Sequence, residues 1–412
     1  MTTVMERVGR QQSAEASTEV IRRLLAATST PDNDVAATID HLGAEQTAHV
    51  LLDEIVFRSR FEEVTSLPDG RASLVLRLVH RERGLTATIS VGAKGTYVHD
   101  GSTEGTAPDG ELQPPIVSQE MSEVAQALYG PRELVSAATR TIQWPGREIV
   151  ARSLRRLPPP PLYYAVAQRV VRVLDRREPA DLTELAVRCG TDKWGALHQY
   201  PQHYERHFAP LRDRRLTILE IGIGGYDDPE KGGASLRMWK QFFPRALIYG
   251  IDIVDKRPLD APRLTTVTAD QSKPEQLIAF AERHGPFDIV IDDGSHISQD
   301  VITTFRHLFP YVRPTGGLYV IEDLHTAYWP GVFHGNDTDL SDPNYTVGFL
   351  KTLIDGLHHE EFLSSDAREP LATDTQIKGM HLYRNIAVIE KGSNIEGSPV
   401  AHMLREARTS GQ

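Results

Sequence analysis

Two short stretches place several ionisable side chains directly after apolar runs. The first is "IDDGSH", residues 291–296, and the second is "VIED", residues 320–323. Each apolar run is typical of a buried β-strand. Carboxylates are the ligands that hard cations such as Mg²⁺ or Mn²⁺ prefer, and an imidazole is a general base near neutral pH. These residue types together indicate metal-assisted proton transfer.

The acids of the two stretches are expected to meet. If the two strands are neighbours in a parallel sheet, their carboxyl ends lie about 4.8 Å apart. Unpaired carboxylates at one point repel one another, and a divalent cation relieves that repulsion. We therefore predict that Asp293, Glu322 and Asp323 bind the metal and that His296 is the general base. Asp292 competes with Asp293 for the metal, and otherwise faces a bound cofactor or the loop backbone.

A non-catalytic interpretation of "DDGS" remains open. The motif is also a good turn sequence, and an Asp where a strand meets a helix is often only a helix cap. The second acidic strand end, "VIED", is the observation that favours a cation site.

A glycine-rich loop follows an earlier apolar run in "LEIGIGGYDD". Gly222 and Gly224 allow the backbone to turn closely around a ligand. Glu220, two positions before the first glycine, can accept a hydrogen bond from an ammonium group. The spacing differs from the dinucleotide-binding fingerprint, because Asp227 stands at the place of its third glycine.

The next two strand ends carry further candidates for ligand binding. Asp252 closes "LIYGIDI" and has the acceptor oxygens that ribose hydroxyls require. Asp270 and Gln271, in "TADQS", can recognise an adenine amino group and ring nitrogen. Ser272 in this loop and Tyr226 in the glycine-rich loop complete the predicted set.

The elements that must position these residues alternate between strand and helix over residues 165–392. The strands are nearly continuous apolar runs and the helices are amphipathic, which indicates a mostly parallel α/β sheet covered on both faces. The ligand is then expected beyond the carboxyl ends of the strands, where the strand order reverses. Residues 393–412 are predicted to be a frayed, flexible tail.

Residues 1–154 have a different pattern and are predicted to form a smaller α+β domain. Helical spacing covers residues 13–60, and alternation in "ASLVLRLVH", "LTATISVG" and "GTYVHD" predicts an antiparallel meander. Helices are predicted again around "VSQEMSEVAQALYG" and "PRELVSAATRTI". The four prolines of "RRLPPPPLYY", residues 155–164, predict an extended linker between the domains.

Composition narrows the class of partner. The chain has 412 residues, 40% hydrophobic and 25% charged, with a net charge of −11. This negative charge argues against nucleic-acid and membrane-surface partners. Cys189 is the single cysteine, so no intrachain disulfide and no thiolate zinc site is possible. Without a signal-peptide or membrane-spanning pattern, the sequence predicts a cytoplasmic protein that acts on a small molecule.

The ordered set of "E-x-G-x-G", an acidic second strand end and "A-D-x-S" resembles the S-adenosylmethionine site of class I methyltransferases. The resemblance implies their seven-stranded Rossmann-like sheet. In similar methyltransferases a stretch matching "DK-x-x-x-x-H-x-Y" borders the cofactor. It adds Thr191, Lys193, His198 and Tyr200 as candidates.

A closer resemblance covers about residues 182–391. "LEIGIGGYDDPEKGGASLRMWK", "GIDI", "DDGSH" and "VIEDLHTAYWP" are similar to the metal-dependent O-methyltransferases that modify deoxysugars of polyketide and macrolide antibiotics. That family implies S-adenosylmethionine, Mg²⁺ or Mn²⁺, a histidine base, and a glycosylated natural product methylated at the 2-hydroxyl of rhamnose or a similar 6-deoxyhexose. It also implies a homotetramer in which the N-terminal domain helps to build a neighbour's substrate site.

Residues 325–342 are long and lack periodicity, which predicts a lid whose Tyr328, Trp329 and Phe333 form an apolar wall for a bulky aglycone. Three alternatives remain open from the sequence. They are a metal-dependent catechol-type O-methyltransferase, a metal-dependent hydrolase, and a cofactor-binding scaffold without catalysis.

Overall fold

A computed structural model describes residues 5–8, 14–64, 71–81, 83–93, 95–101, 114–144, 162–176, 181–364 and 367–409. The chain forms two compact units. The first comprises Met1–Asp181, Leu211–Arg215 and Gln241–Arg245, and the second comprises Leu182–Pro210, Leu216–Lys240 and Ala246–Gln412.

The first unit combines helices with a six-stranded sheet. Its helices are α1 (Ala14–Ala27), α2 (Val35–Leu42), α3 (Ala44–Ser59), α4 (Met121–Tyr129) and α5 (Leu162–Leu174). Its strands are β1 (Met5–Val8), β2 (Arg71–His80), β3 (Arg83–Gly92), β4 (Gly95–Asp100), β5 (Ile116–Glu120) and β6 (Thr141–Gln143), in the order β1-β4-β3-β2-β5-β6. Strands β2, β3 and β4 form the antiparallel meander that alternation predicts.

The helix predicted over "PRELVSAATRTI" is wrong. This stretch contains one short 3-10 turn, Arg132–Leu134, followed by β6. Side chains of this stretch bond to an acid of α4 rather than within a helix, because Ser136 and Thr139 donate hydroxyl hydrogen bonds of 2.9 and 2.7 Å to Glu123. The helix predicted before it begins only at Met121, since the preceding residues belong to β5.

Helix α5 belongs to the first unit, whereas the sequence prediction starts the second domain at residue 165. Its apolar face is buried through Val166, Ala167, Val170 and Leu174, and it packs on α3 and β2. Of the proline-rich segment predicted as a linker, residues 155–161 lie outside the described residues.

The second unit contains the seven-stranded sheet. Its helices are α6 (Leu182–Cys189), α7 (Pro201–Phe208), α8 (Ala234–Phe242), α9 (Pro274–His284), α10 (Ser298–Leu308), α11 (Pro330–Phe333), α12 (Thr346–Leu357) and α13 (Pro399–Thr409). Its strands are β7 (Thr217–Ile221), β8 (Leu247–Asp252), β9 (Leu264–Thr268), β10 (Ile289–Asp292), β11 (Gly317–Ile321), β12 (Ile377–Tyr383) and β13 (Ile386–Lys391).

The strand order β12-β13-β11-β10-β7-β8-β9 confirms the predicted Rossmann-like methyltransferase sheet. Strands β9, β8, β7, β10 and β11 are parallel to one another, and β13 is antiparallel to both β11 and β12. The order reverses between β7 and β10, so a ligand site is expected at the carboxyl ends of these two strands. No helix in the described part of the chain is long and apolar enough to cross a membrane.

The register sets which acids share a face of the sheet. Asp292 is the partner of Ile221 on one side and of Ile321 on the other. The pairing continues one step further, because the N–H of Glu322 donates to the carbonyl of Asp292 at 3.0 Å. Successive side chains of a strand point to opposite faces. Asp293 and Glu322 are therefore level with each other, on the face opposite Asp292.

Helix α13, Pro399–Thr409, lies within the segment predicted as a frayed tail and corrects that prediction for these residues. Ala401 of α13 is buried, and the guanidinium of Arg405 donates to the carbonyl oxygens of Glu360 and Phe362 at 3.1 and 2.8 Å. The Ser398 hydroxyl accepts the N–H of Ala401 at 3.2 Å and so caps the first turn. These bonds to buried or terminal backbone groups hold the helix on the second unit.

Candidate functional site

Three acids at the strand ends surround one lysine. Glu220, Asp293 and Glu322 each place a carboxylate oxygen within 4.8 Å of the others, and we call them the inner acid group. The ammonium of Lys193 lies 3.4 Å from Glu220, 2.7 Å from Asp293 and 2.7 Å from Glu322. The Thr191 hydroxyl accepts the backbone N–H of Lys193 at 3.2 Å and shapes the turn that carries the lysine.

Burial and neighbouring charges affect the pKa values of Lys193 and of the inner acid group, and for Lys193 the two effects oppose each other. Burial raises the pKa of Glu220 to about 7, although Lys193 lowers it and Asp293 raises it further. Burial and the Asp293 charge also hold the pKa of Glu322 well above its usual range. Burial alone would lower the pKa of Lys193, but the three carboxylates outweigh it and raise that pKa well above its usual value. The contacts with three carboxylates thus favour the charged form of Lys193.

Helix α8 supplies the remaining partners of Glu220. The Ser235 hydroxyl and the Trp239 indole N–H donate to its Oε2 at 2.9 and 3.0 Å. The other oxygen, Oε1, is buried and makes no hydrogen bond among the described residues. Glu220, predicted to accept from an ammonium group, thus meets the ammonium of Lys193.

Two tyrosines at α7 bind the acids that follow β11. The Tyr204 hydroxyl donates to Glu322 Oε1, and the Tyr200 hydroxyl donates to Asp323 Oδ1 at 2.6 Å. Residues four apart on a helix lie on one face, so both hydroxyls reach neighbouring acids. The sequence prediction includes Tyr200 and misses Tyr204. The four-residue spacing of two tyrosines is the signal that could have found it.

A second set of three ligands lies on the more exposed side, and we call it the outer group. Asp293, His296 and Asp323 each offer one atom within 4.8 Å of the others. His296 Nε2 is 3.7 Å from Asp323 Oδ2. Both residues have left-handed backbones, with φ of 60° and 53°. The Thr326 hydroxyl reaches the carbonyls of His296 and Asp323, at 3.1 and 2.8 Å, and ties the two strained turns together.

Asp292 is separate from both groups. Its Oδ1 accepts the Gln271 amide at 2.8 Å, and its buried Oδ2 makes no hydrogen bond among the described residues. Burial raises the pKa of Asp292 to about 8. Gln271 also accepts the backbone N–H of Ser295 at 2.8 Å. Both ends of this amide therefore bond within the protein, and the adenine contact expected of Gln271 stays a prediction.

The glycine-rich loop passes close to the loop of Asp293. Gly222 has a φ of +88°, and a Cβ at this position would lie 2.1 Å from the carbonyl oxygen of Asp293. Gly224 also has a positive φ, +73°, but a Cβ there would meet open space. The first glycine thus permits contact between two loops, and the second leaves room for a ligand.

Lys256 holds the rest of this loop, a contact that the sequence prediction misses. Its buried ammonium donates to the carbonyl oxygens of Tyr226, Asp228 and Lys231 at 2.8, 2.8 and 3.2 Å. The Tyr226 side chain, predicted to contact the cofactor, is 93% exposed. An anchored backbone therefore presents an uncovered aromatic ring beside the open position at Gly224.

The other predicted cofactor residues lie in the loops after β8 and β9. Asp252 accepts the backbone N–H groups of Ile223 and Val254, both at 2.9 Å. Asp270 accepts the N–H and hydroxyl of Ser272 at 2.9 and 2.7 Å. A carboxylate has about four acceptor positions. Asp252 and Asp270 thus keep acceptor capacity for a ligand while shaping their own loops.

Aromatic side chains of the predicted lid lie beside His296. The Phe333 ring centroid is 5.9 Å from that of His296, and Trp329 is 6.1 Å from Phe333. Trp329 and Tyr328 are partly exposed. The segment forms a 3-10 turn, Leu324–Tyr328, and the short helix α11.

A pocket of about 170 Å³ adjoins the outer group through two side chains. His198 and Tyr200 line it, together with Arg384 and Asn385. His198 Nδ1 lies 3.5 Å from Asp323, to which Tyr200 also donates. Most of the lining residues are polar, and His296 is not among them.

The sheet order, the glycine-rich loop and the acids at the switch point together define a class I methyltransferase domain. Residues 21–140 match the family model described as MycE methyltransferase N-terminal. The chain is 42% identical over 398 residues, 95% of this chain and 99% of the relative, to the 8-demethyl-8-alpha-L-rhamnosyl tetracenomycin-C 2'-O-methyltransferase of Streptomyces olivaceus. It is 53% identical over 221 residues, 54% of this chain and 55% of the relative, to the mycinamicin VI 2''-O-methyltransferase of Micromonospora griseorubida.

A solved structure of similar fold is the MycE methyltransferase of the mycinamycin biosynthetic pathway in complex with Mg, SAH and mycinamycin VI. It has a TM-score of 0.79 and 35% identity, and the match covers 94% of this chain and 95% of that one. This chain therefore belongs to the family of O-methyltransferases that modify the sugars of antibiotics.

Gly222→Ala is expected to destabilise the fold far more than Gly224→Ala. Both alanines would carry left-handed strain of about 1–2 kcal/mol. Only the first Cβ would overlap the backbone of Asp293, and such overpacking adds roughly 1–3 kcal/mol. Urea denaturation of the two variants measures the difference in free energy of unfolding. Equal stabilities would contradict the close loop contact.

Proposed function

We propose that this chain transfers a methyl group from S-adenosylmethionine to a hydroxyl of a deoxysugar on a glycosylated polyketide, with the help of Mg²⁺ or Mn²⁺. The observation that carries the proposal is the outer group, in which an imidazole adjoins two acids at the switch point of the sheet. The activities of the relatives support the substrate class, and the relative from Streptomyces olivaceus is a 2'-O-methyltransferase of a rhamnosyl compound.

The side chains fit a hard divalent cation. Asp293 and Asp323 belong to the outer group. Lys193 and Tyr204 both donate to Oε1 of Glu322, so the second oxygen of that carboxylate, Oε2, takes no part in these two bonds. Oxygen ligands without a thiolate suit Mg²⁺ or Mn²⁺ rather than Zn²⁺. We assign Asp293, Glu322 and Asp323 as the residues that would hold the ion. It would lower the pKa of an acceptor hydroxyl and orient it.

The loops fit the cofactor. S-adenosylmethionine supplies an activated methyl group whose thioether leaving group departs neutral. Gly224 leaves open space, Tyr226 is uncovered, and Asp252 retains acceptor positions at the end of β8. We assign these residues, with Gly222, to cofactor binding. We also assign Asp270 to cofactor binding, because it keeps acceptor positions beside its bonds to Ser272. Glu220, Gln271, Ser272, Asp292, Thr191 and Lys193 complete the proposed cofactor side, and each of these side chains also bonds inside the protein.

His296 is the group we assign to proton transfer. Its ring is partly exposed beside Asp323, and the carboxylate of Asp323 stabilises the imidazolium that forms when the ring accepts a proton. The aromatic ring of Phe333 limits water on one side of the imidazole. His296 thus takes the proton from the acceptor hydroxyl as its oxygen attacks the methyl group.

The surroundings suit an acceptor with both polar and apolar parts. The pocket at His198, Gln202 and Arg384 offers hydrogen bonds for sugar hydroxyls, and Trp329 and Phe333 offer an apolar wall for an aglycone. A flat catechol would pack against the apolar wall but would leave the hydrogen-bonding groups of the pocket without a partner. We further propose that the protein is cytoplasmic and that it forms a homo-oligomer, as the family resemblance implies. Light scattering of the purified chain measures its oligomeric state.

The acceptor assay tests the proposed function. The chain, S-adenosylmethionine and Mg²⁺ are incubated with a rhamnosyl polyketide, a 6-deoxyallosyl macrolide and a catechol, and mass spectrometry measures the gain of one methyl group. We expect methylation of a glycoside, loss of activity with EDTA, and recovery on adding Mg²⁺ or Mn²⁺. Full activity with EDTA contradicts the metal, and methylation of the catechol alone contradicts the acceptor class.

His296→Gln is expected to lower kcat by about 10²- to 10⁴-fold, the usual contribution of a general base. The affinity for S-adenosylhomocysteine and for Mn²⁺, measured by calorimetry, is expected to be unchanged. His402→Gln is the matched control, because its side chain is 69% exposed on α13. A large loss of Mn²⁺ affinity in His296→Gln would instead make this residue a metal ligand.

Lys256→Met is expected to weaken binding of S-adenosylhomocysteine roughly tenfold or more. A hydrogen-bonded charge contributes about 1.5–3 kcal/mol, and three loop carbonyls lose their donor. The KM for the acceptor is expected to change little. Lys378→Met is the control, since that lysine is more than half exposed. Unchanged cofactor affinity in Lys256→Met would show that this loop does not border the cofactor.

A further inference from the structure

The inner acid group has the shape of a second cation site. Glu220, Asp293 and Glu322 offer three carboxylate oxygens within 4.8 Å of one another, on the buried side of the outer group. Asp293 belongs to both groups, as a bridging carboxylate does in two-metal sites, where the ions lie about 3.5–4 Å apart. An ammonium group occupies the inner position, because Lys193 contacts all three acids.

We propose that Lys193 is a built-in cation that replaces a second metal ion and so restricts the site to a single divalent ion. The proposal rests on the proposed metal dependence of the enzyme. An ammonium has three N–H donors, which match the three acids in number. Lys193 is 1% exposed, so its charge is available only to this cluster.

The charges of the cluster support this role. Without Lys193, the buried Glu220 and Glu322, the half-buried Asp293 and the neighbouring Asp323 would carry negative charge with no cation between them. Such acids either take up protons or bind a cation. The lysine supplies a single positive charge without dissociating, and it leaves the outer acids free for an exchangeable ion.

The unsatisfied oxygen of Glu220 is a further observation that points to the inner position. Its Oε1 is fully buried, makes no hydrogen bond among the described residues, and lies 3.4 Å from the ammonium. The other two acids are closer, at 2.7 Å. An unsatisfied buried oxygen aimed at the inner position is a ready ligand for an ion that binds oxygen at about 2.0–2.2 Å.

The number of bound Mn²⁺ ions tests the proposal. Purified full-length protein and its Lys193→Met variant are titrated with Mn²⁺ alone, followed by calorimetry and by electron paramagnetic resonance. We expect one ion in the original chain and two in the variant, with the magnetic coupling of a close ion pair only in the variant. Lys193→Met with Glu220→Gln is the matched control, and it is expected to bind one ion because the inner group has lost an acid.

The Mn²⁺ titration can overturn the proposal in several ways. If Lys193→Met unfolds without metal, Mn²⁺ is expected to raise its melting temperature far more than that of the original chain. One ion in the variant, two in the original chain, or a variant that stays unfolded at every Mn²⁺ concentration overturns the proposal. An original chain that binds no Mn²⁺ and methylates without it contradicts the proposed function instead.

Discussion

The ammonium of Lys193 lies among three carboxylates that would otherwise repel one another. Glu220 comes from β7, Asp293 follows β10 and Glu322 follows β11, so three adjacent parallel strands end at this one cation. A buried charge is tolerated only when it is paired and hydrogen-bonded. The three acids at the carboxyl ends of these strands can therefore lie this close together only when the segment that carries Lys193 is folded beside them.

That segment does more than neutralise charge. Tyr200 and Tyr204 lie seven and eleven residues after Lys193, and their hydroxyls donate to Asp323 and Glu322, respectively. Each of these hydroxyl donors thus holds one particular carboxylate oxygen in place, Oδ1 of Asp323 or Oε1 of Glu322. The orientation of the acids is set before any ligand binds, which is the preorganisation that metal and catalytic sites require. The cost falls on the backbone, since Asp323 has a left-handed conformation.

Sequence patterns predict the sheet well because each parallel strand is a continuous apolar run between amphipathic helices. They also indicate which loops carry acids, since the acids follow those runs directly. Sequence patterns fail to predict a site residue when its side chain is mostly apolar and reaches the site through a single hydrogen-bonding atom. Trp239 and Tyr204 fit the core faces of α8 and α7, and nothing local shows that the indole N–H and the phenol reach Glu220 and Glu322.

One lysine and the last helix show a related limit. Nothing in the sequence around Lys256 indicates its role, yet three carbonyls of another loop surround its ammonium. The residues before α13 are polar, yet Arg405 of this helix donates to the carbonyls of Glu360 and Phe362, more than 40 residues earlier in the chain. In both cases the partner is distant in the chain, and spacing within one segment carries no information about it. The same limit applies to the helix wrongly predicted after Pro131, where Glu123 captures two hydroxyls.

The difference between Asp292 and Asp293 follows from register alone. The residues are adjacent and chemically identical, yet burial raises the pKa of the first to about 8 while the second meets Lys193. Asp292 is paired with Ile221 and Ile321, so its side chain shares their face of the sheet. A slip of one residue would exchange the two acids and move every apolar side chain of β10 to the wrong face. The packing of that strand, rather than any property of the acids, therefore decides which carboxylate is available for chemistry.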